Sequence, residues 1–332
     1  MANLGSREAG KMDFAREALW RRMDGAMGKK AVQIPVFLVN PRQMDYLYPP
    51  ERMRFLHPEA VRRWAQERRK RRERNEGEPL QGLDLAPSDR YREVVAVGLY
   101  MHQLDGKRKE ELLRLAEGDP EAEALQRHNG PAILLCPERI LSWARQEGVN
   151  HNLVLDKVYY HELGHALMDT GPTPYGELWG RIIEESLANW VAYRRFRGQE
   201  ARWVQRLIQG QPAEYQGYLA VEEGFVFLGD RETLEEWAWH MRRLWHRAPW
   251  DWEEWWYAWR HLWHELWERG YGFLDRGFPP LLPGLPLPMQ EEAGASNFRL
   301  WREAKRQEWF KEPDVVRAYA GFAEELLLRA VD

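Results

Sequence analysis

The segment Val158 to Gly171, VYYHELGHALMDTG, constrains this 332-residue chain more than any other. His161 and His165 stand four residues apart, so on an α-helix they lie about 40° apart around the axis and present two imidazoles from successive turns. Two metal ligands then come from one rigid element. Glu162 lies about 100° from His161, a direction from which its carboxylate can reach metal-held water without taking a coordination position. Leu163, Gly164, Ala166 and Leu167 are uncharged, which predicts a helix buried through the middle of a domain. Gly164 leaves room for another backbone. Gly171 and Pro172 predict the cap and stop of this helix.

Catalytic zinc takes three protein ligands and keeps a fourth position for water, so a further donor is required. The segment LWGRIIEESLANWVAYRRF predicts an amphipathic helix from Leu178 to Phe196. Glu185 is the candidate third ligand. Asn189 follows one turn later on its face, while Ala188 and Ala192 keep that face small enough for close packing against a neighbour. From there Asn189 would hydrogen-bond His161 or His165 and fix its tautomer. Glu184 is the rival ligand, but its neighbours one turn on are Leu187 and Ala188, which offer no polar support. Asp169, four residues after His165, is either an orienting partner for that imidazole or a surface acid near the helix end.

HELGH followed by EESLAN resembles the gluzincin branch of zinc metallopeptidases, of which thermolysin is the familiar member. Asn189 stands where thermolysin-like enzymes tend to have Asp. HELGHAL with a later Glu and an Ala-Asn step also looks like the bacterial ImmA/IrrE-type cytosolic peptidases. The metzincin pattern does not fit, since Met168 replaces its glycine and Gly171 its third histidine. The likeness covers roughly residues 130–196. It implies an α+β, mainly helical chain, with a zincin-like catalytic core, a small sheet and helical additions at both ends. It also implies Zn2+ held by His161, His165 and Glu185, Glu162 as general base, and a peptide or protein substrate. Gluzincins commonly add a His or Tyr that stabilises the oxyanion; Tyr175, Tyr215, Tyr218 and His240 are available, and no local pattern selects one.

Around this core the chain reads as three regions: an N-terminal accessory part at 1–87, the core at 88–200, and a helical, tryptophan-rich part at 201–332. A first helix is expected from Asp13 to Met23. Strands are expected at Ala31 to Val39, with Pro35 hinting at an edge, at Arg92 to His102, and at Ile133 to Cys136. Prolines at 41, 49 and 50 break regular structure between the first two. A charged helix is expected around Lys107 to Glu117, and another starts at Pro137, a favoured first-turn residue. A short strand is expected at Gly224 to Leu228, before the proline-rich connection from Gly277 to Gln290. Ten of the eighteen tryptophans fall between Glu235 and Gly270. Trp252, Trp256, Trp259, Trp263 and Trp267 share one helix face, which is the pattern of a packed face rather than a ligand platform. In the same stretch His264 to Glu268, HELWE, imitates the first motif but has Glu268 in place of a second histidine; His261 and His264 could at most bind a metal weakly.

Composition narrows the remaining classes. With 44% apolar and 30% charged residues the chain reads as a soluble globular protein, and no run approaches the about 18 apolar residues that a membrane span requires. A net charge of -4 from 48 basic and 52 acidic residues supplies no global attraction to nucleic acid. Val61 to Arg74 carries eight basic residues, but a solvated helix face accounts for them without a nucleic-acid partner. One cysteine, Cys136, allows no internal disulfide and reads as a small buried hydrophobe; the cytoplasm is the expected compartment. Two non-enzymatic readings stand beside the peptidase: a structural or catalytically inactive zinc site, and a nucleic-acid or protein-interaction factor in which HELGH is incidental.

Overall fold

The computed structural model describes residues 34–55, 91–104, 106–116, 125–218, 297–298, 301–302, 304–311 and 313–329, together with four helical positions at 63, 66, 67 and 70. They are mainly helical with two small sheets. The expected helix at Asp13 to Met23, the strand at Gly224 to Leu228, the proline-rich connection, the tryptophan stripe and HELWE lie outside them. Arg63, Gln66, Glu67 and Lys70 are exposed, as a solvated basic helix requires. No described helix is long and apolar enough to cross a membrane.

The chain divides into two compact units, one of residues 1–56, 88–169 and 188–215, the other of residues 57–87, 170–187 and 216–332. The first holds a three-stranded sheet in the order β1 (Val36–Leu38), β5 (Ala132–Leu135), β4 (Gly98–Met101). β5 reads AILL and is buried along its whole length, which fits a central strand with both faces covered. β1 runs parallel to it and β4 antiparallel. Pro35 ends the free approach to β1, and its carbonyl accepts from Ile133 N–H at 3.0 Å, the edge role its ring allows.

One expected strand is two. The stretch Arg92 to His102 divides into β3 (Tyr91–Val94) and β4, and β3 pairs antiparallel with β2 (Glu51–Arg54) in a separate two-stranded sheet. β2 reads ERMR and lacks the alternation that marks a strand, so only its pairing with β3 reveals it. α1 (Pro41–Leu47), whose N-terminus is closed by a capping box of Asn40 and Gln43, follows β1, and α2 (Gly106–Arg114) follows β4. Gln43 is buried and donates to the Leu112 carbonyl, which ties α1 to α2.

α3 (Pro137–Glu147) begins at the expected proline and ends on Gly148 at φ 66°, a left-handed cap that glycine adopts without strain. α4 (His151–Met168) carries the histidines. Asn150 caps it, accepting from Asn152 N–H, and residues from Val154 to Gly164 are buried on every side. It stops at Met168 with Asp169 as its C-cap, earlier than Gly171 and Pro172 imply. Gly171 serves another purpose. A Cβ there would stand 2.5 Å from the Lys305 carbonyl oxygen, so its bare backbone permits a close approach.

α5 (Leu178–Tyr193) follows, three residues shorter than expected because Arg195 and Phe196 close back onto Ala192 and Tyr193 in tighter turns. α6 (Gly198–Gln209) and a 3-10 turn at Ala213–Tyr215 complete the first unit. In the second unit, residues 170–187 accompany a 3-10 turn at Trp309–Lys311 and α7 (Pro313–Arg329). Trp301 is fully buried there among Trp179, Phe310 and Tyr319, with ring centroids 5.0 to 6.3 Å away.

Candidate metal centre

α4 presents His161 and His165 from successive turns, and their Nε2 atoms stand 3.2 Å apart. One donor atom each from His161, His165 and Glu185 lies within 4.8 Å of the others. Two nitrogens bound at about 2.0 to 2.1 Å to one tetrahedral zinc stand about 3.3 Å from each other, so the imidazole pair has the spacing the ion asks for. Two imidazoles and a carboxylate are also a donor set that zinc accepts. His161 and Glu185 are buried and His165 is half-buried.

The third donor depends on how closely α5 comes to α4. A Cβ on Gly164 would lie 2.9 Å from the Ala188 Cα, so the two helices meet backbone against backbone at this point. Ala188 is one turn of α5 from Glu184 and three residues beyond Glu185. The absence of side-chain bulk at Gly164 and Ala188 permits this approach.

Glu184, the rival, is committed elsewhere. Its Oε1 accepts from Lys305 Nζ at 2.6 Å and from the Thr173 hydroxyl at 2.7 Å, and both charged side chains are buried. Glu185 Oε1 accepts from the Tyr175 hydroxyl, whose ring carries the Arg181 guanidinium 5.5 Å from its centroid. Tyr175, named among the oxyanion candidates, is thus a partner of the carboxylate. Tyr215 stacks on the His161 ring, with centroids 5.8 Å apart and planes inclined by 30°. Tyr218 is buried and His240 lies outside the described residues.

Two of the supporting residues differ from expectation. Asn189 is fully buried, but its amide donates to the Tyr215 carbonyl at 3.1 Å rather than to either histidine. Asp169 does not orient His165. Its Oδ2 accepts from the Tyr100 hydroxyl at 2.6 Å and lies 2.5 Å from His102 Nδ1, because β4 runs beside the end of α4 and supplies nearer donors.

Glu162 is buried and held by β4. Tyr100 N–H donates to its Oε2 at 2.8 Å. Gly98 makes this approach possible, since a Cβ there would stand 2.5 Å from Val158 Cγ1 and 2.9 Å from Glu162 Oε1. Gly98 and Tyr100 were not legible as site residues; the available signal was a glycine two positions before a tyrosine in an apolar strand, which marks close backbone approach. Burial, together with the hydrogen bond to Asp169, pushes the Tyr100 phenol well above its ordinary pKa, so it remains a donor. Burial likewise pushes the Cys136 thiol up to about 12, which keeps it a protonated core group and not a thiolate ligand.

Compared with models of known protein families, with curated proteins and with solved structures, the chain gives no match.

Proposed function

We propose that this chain is a zinc-dependent peptidase with a zincin-like catalytic core, in which His161, His165 and Glu185 hold the ion. The observation that carries the reading is the convergence of those three donors within 4.8 Å, beside a buried glutamate outside the ligand set. When bound, zinc supplies a Lewis acid that polarises a carbonyl and acidifies water. Glu162 takes the proton of the attacking water and passes it to the leaving amine. The Tyr100 N–H steadies one oxygen of that carboxylate and sets its plane. The compartment that fits is the cytoplasm, given a single, buried thiol at Cys136. The substrate class rests on the resemblance of HELGH and EESLAN to gluzincins.

The burial of His161 and Glu185 supports a second reading, in which the same three residues clamp a structural zinc closed to water. Metal analysis and turnover of an unfolded-protein substrate separate the two. For the peptidase, wild type carries one zinc per chain and cleaves, Glu162→Gln keeps the zinc and stops cleaving, and Glu185→Ala loses the zinc. Loss of metal in Glu162→Gln refutes the division between base and ligand; wild type with zinc and no cleavage selects the structural clamp; wild type with no zinc ends both.

A further inference from the structure

We infer that Asn189 and Tyr215 form a positioning pair that holds the His161 imidazole in its metal-binding orientation, an inference that rests on the metal site proposed above. Ligating histidines are ordinarily oriented by a hydrogen bond to the second ring nitrogen, and losing that support weakens metal binding by about 10- to 100-fold. At His161 the ring face of Tyr215 supplies an orienting contact of another kind. Tyr215 lies 5.8 Å from the His161 ring at an inclination of 30°, a stacked arrangement that restricts rotation of the imidazole about its Cβ–Cγ bond.

The stack needs its own support, because Tyr215 is the last residue of a three-residue 3-10 turn following α6. At the end of that turn Tyr215 N–H donates to the Pro212 carbonyl at 3.1 Å. The Tyr215 carbonyl in turn accepts from Asn189 Nδ2 at 3.1 Å. Asn189 is fully buried on α5, one turn beyond Glu185. One helix thus presents a carboxylate ligand directly and steadies a second ligand through an intermediate ring. The tyrosine hydroxyl takes no part in this role; the ring face and the backbone carbonyl do. Asn189 suits it better than aspartate would, since a carboxylate carries no N–H to give the carbonyl.

The test uses the purified full chain, with zinc affinity measured against a competing chelator and the visible spectrum of the cobalt-substituted protein as a report of ligand geometry. Tyr215→Phe keeps the stack and is expected to bind zinc within about twofold of wild type. Tyr215→Leu and Asn189→Ala are expected to weaken binding about tenfold or more and to alter the cobalt spectrum. Combining them should cost no more than the worse single change, because both act through one ring. Circular dichroism and urea unfolding confirm that each variant folds. If folded Tyr215→Leu binds zinc as tightly as wild type with an unchanged cobalt spectrum, or if Tyr215→Phe is as damaged as Tyr215→Leu, the positioning role is overturned. His161→Ala distinguishes the two levels: wild type that binds zinc no better than His161→Ala refutes the metal site itself, whereas a normal gap between them with an unaffected Tyr215→Leu refutes only this inference.

Discussion

The backbone N–H of Tyr100 donates to Oε2 of Glu162 at 2.8 Å, so the strand beside the histidine helix holds the proposed base through an atom that, among substitutions at this position, only proline removes. The space for that bond comes from Gly98. Adding a methyl group there would meet Glu162 Oε1 at 2.9 Å and Val158 Cγ1 at 2.5 Å. Gly98→Ala should therefore displace the carboxylate, lower turnover by about 100-fold and leave one zinc per chain, since neither contact involves a ligand. Overpacking should also cost about 1 to 3 kcal/mol of stability. Parallel measurement of kcat, zinc content and urea midpoint checks this; zinc lost together with activity would place Gly98 in support of the ligands instead.

The Lys305–Glu184 pair is buried on both sides and shares the Thr173 hydroxyl. Breaking such a pair from one side leaves an uncompensated charge out of water, which costs about 3 to 5 kcal/mol. Lys305→Met is expected to lose that much in urea unfolding. Lys305→Met combined with Glu184→Leu should recover most of it, because both charges are then gone. Glu184→Gln should retain zinc, in contrast to Glu185→Gln, and equal zinc loss in both would contradict the assignment of the ligand.

How much of this could be read before folding depends on the range of the interaction. His161, His165, Glu162 and Glu185 follow from helical periodicity, and their faces are set within a turn or two of chain. The commitment of Glu184 comes from Lys305, 121 residues later, which local neighbours such as Leu187 and Ala188 could not announce. Asn189 was expected to bond one of the histidines, but its amide donates to the Tyr215 carbonyl, in a 3-10 turn of three residues with no periodic signature. The apolar run of β5 identified it at once, whereas β2 is recognisable only through its register with β3. At Gly98 β4 lies against α4, a long-range approach that the local pattern of Arg92 to His102 could not announce.

Cys136 should be inert while the chain is folded. Its pKa lies near 12 because burial disfavours the thiolate, and the ordinary value in an unfolded chain is about 8.5. As pH rises from about 8.5 toward 12 the folded state keeps the proton and the unfolded state gives it up, so this group's contribution to stability is intact below about pH 8.5 and falls across that interval. Alkylation by iodoacetamide at pH 8 should be slow in native protein and fast in urea, with little acceleration of the native rate between pH 8 and 10. Rapid native labelling would show the thiol to be accessible and ionised.

Gly164→Ala gives the sharpest test of how the third donor is delivered. In an exposed helix the change would stabilise by about 0.8 to 1 kcal/mol, through the better helix propensity of alanine. Here the new Cβ would stand 2.9 Å from the Ala188 Cα and 3.3 Å from its Cβ, and a backbone atom cannot rotate away as a flexible side chain could. α5 must shift from α4, carrying Glu185 with it, while His161 and His165 remain paired on their own helix. Zinc affinity should fall by about tenfold or more, and the cobalt-substituted protein should take on the spectrum of Glu185→Ala. Retention of wild-type affinity in Gly164→Ala would mean that the carboxylate reaches the ion independently of this helix contact.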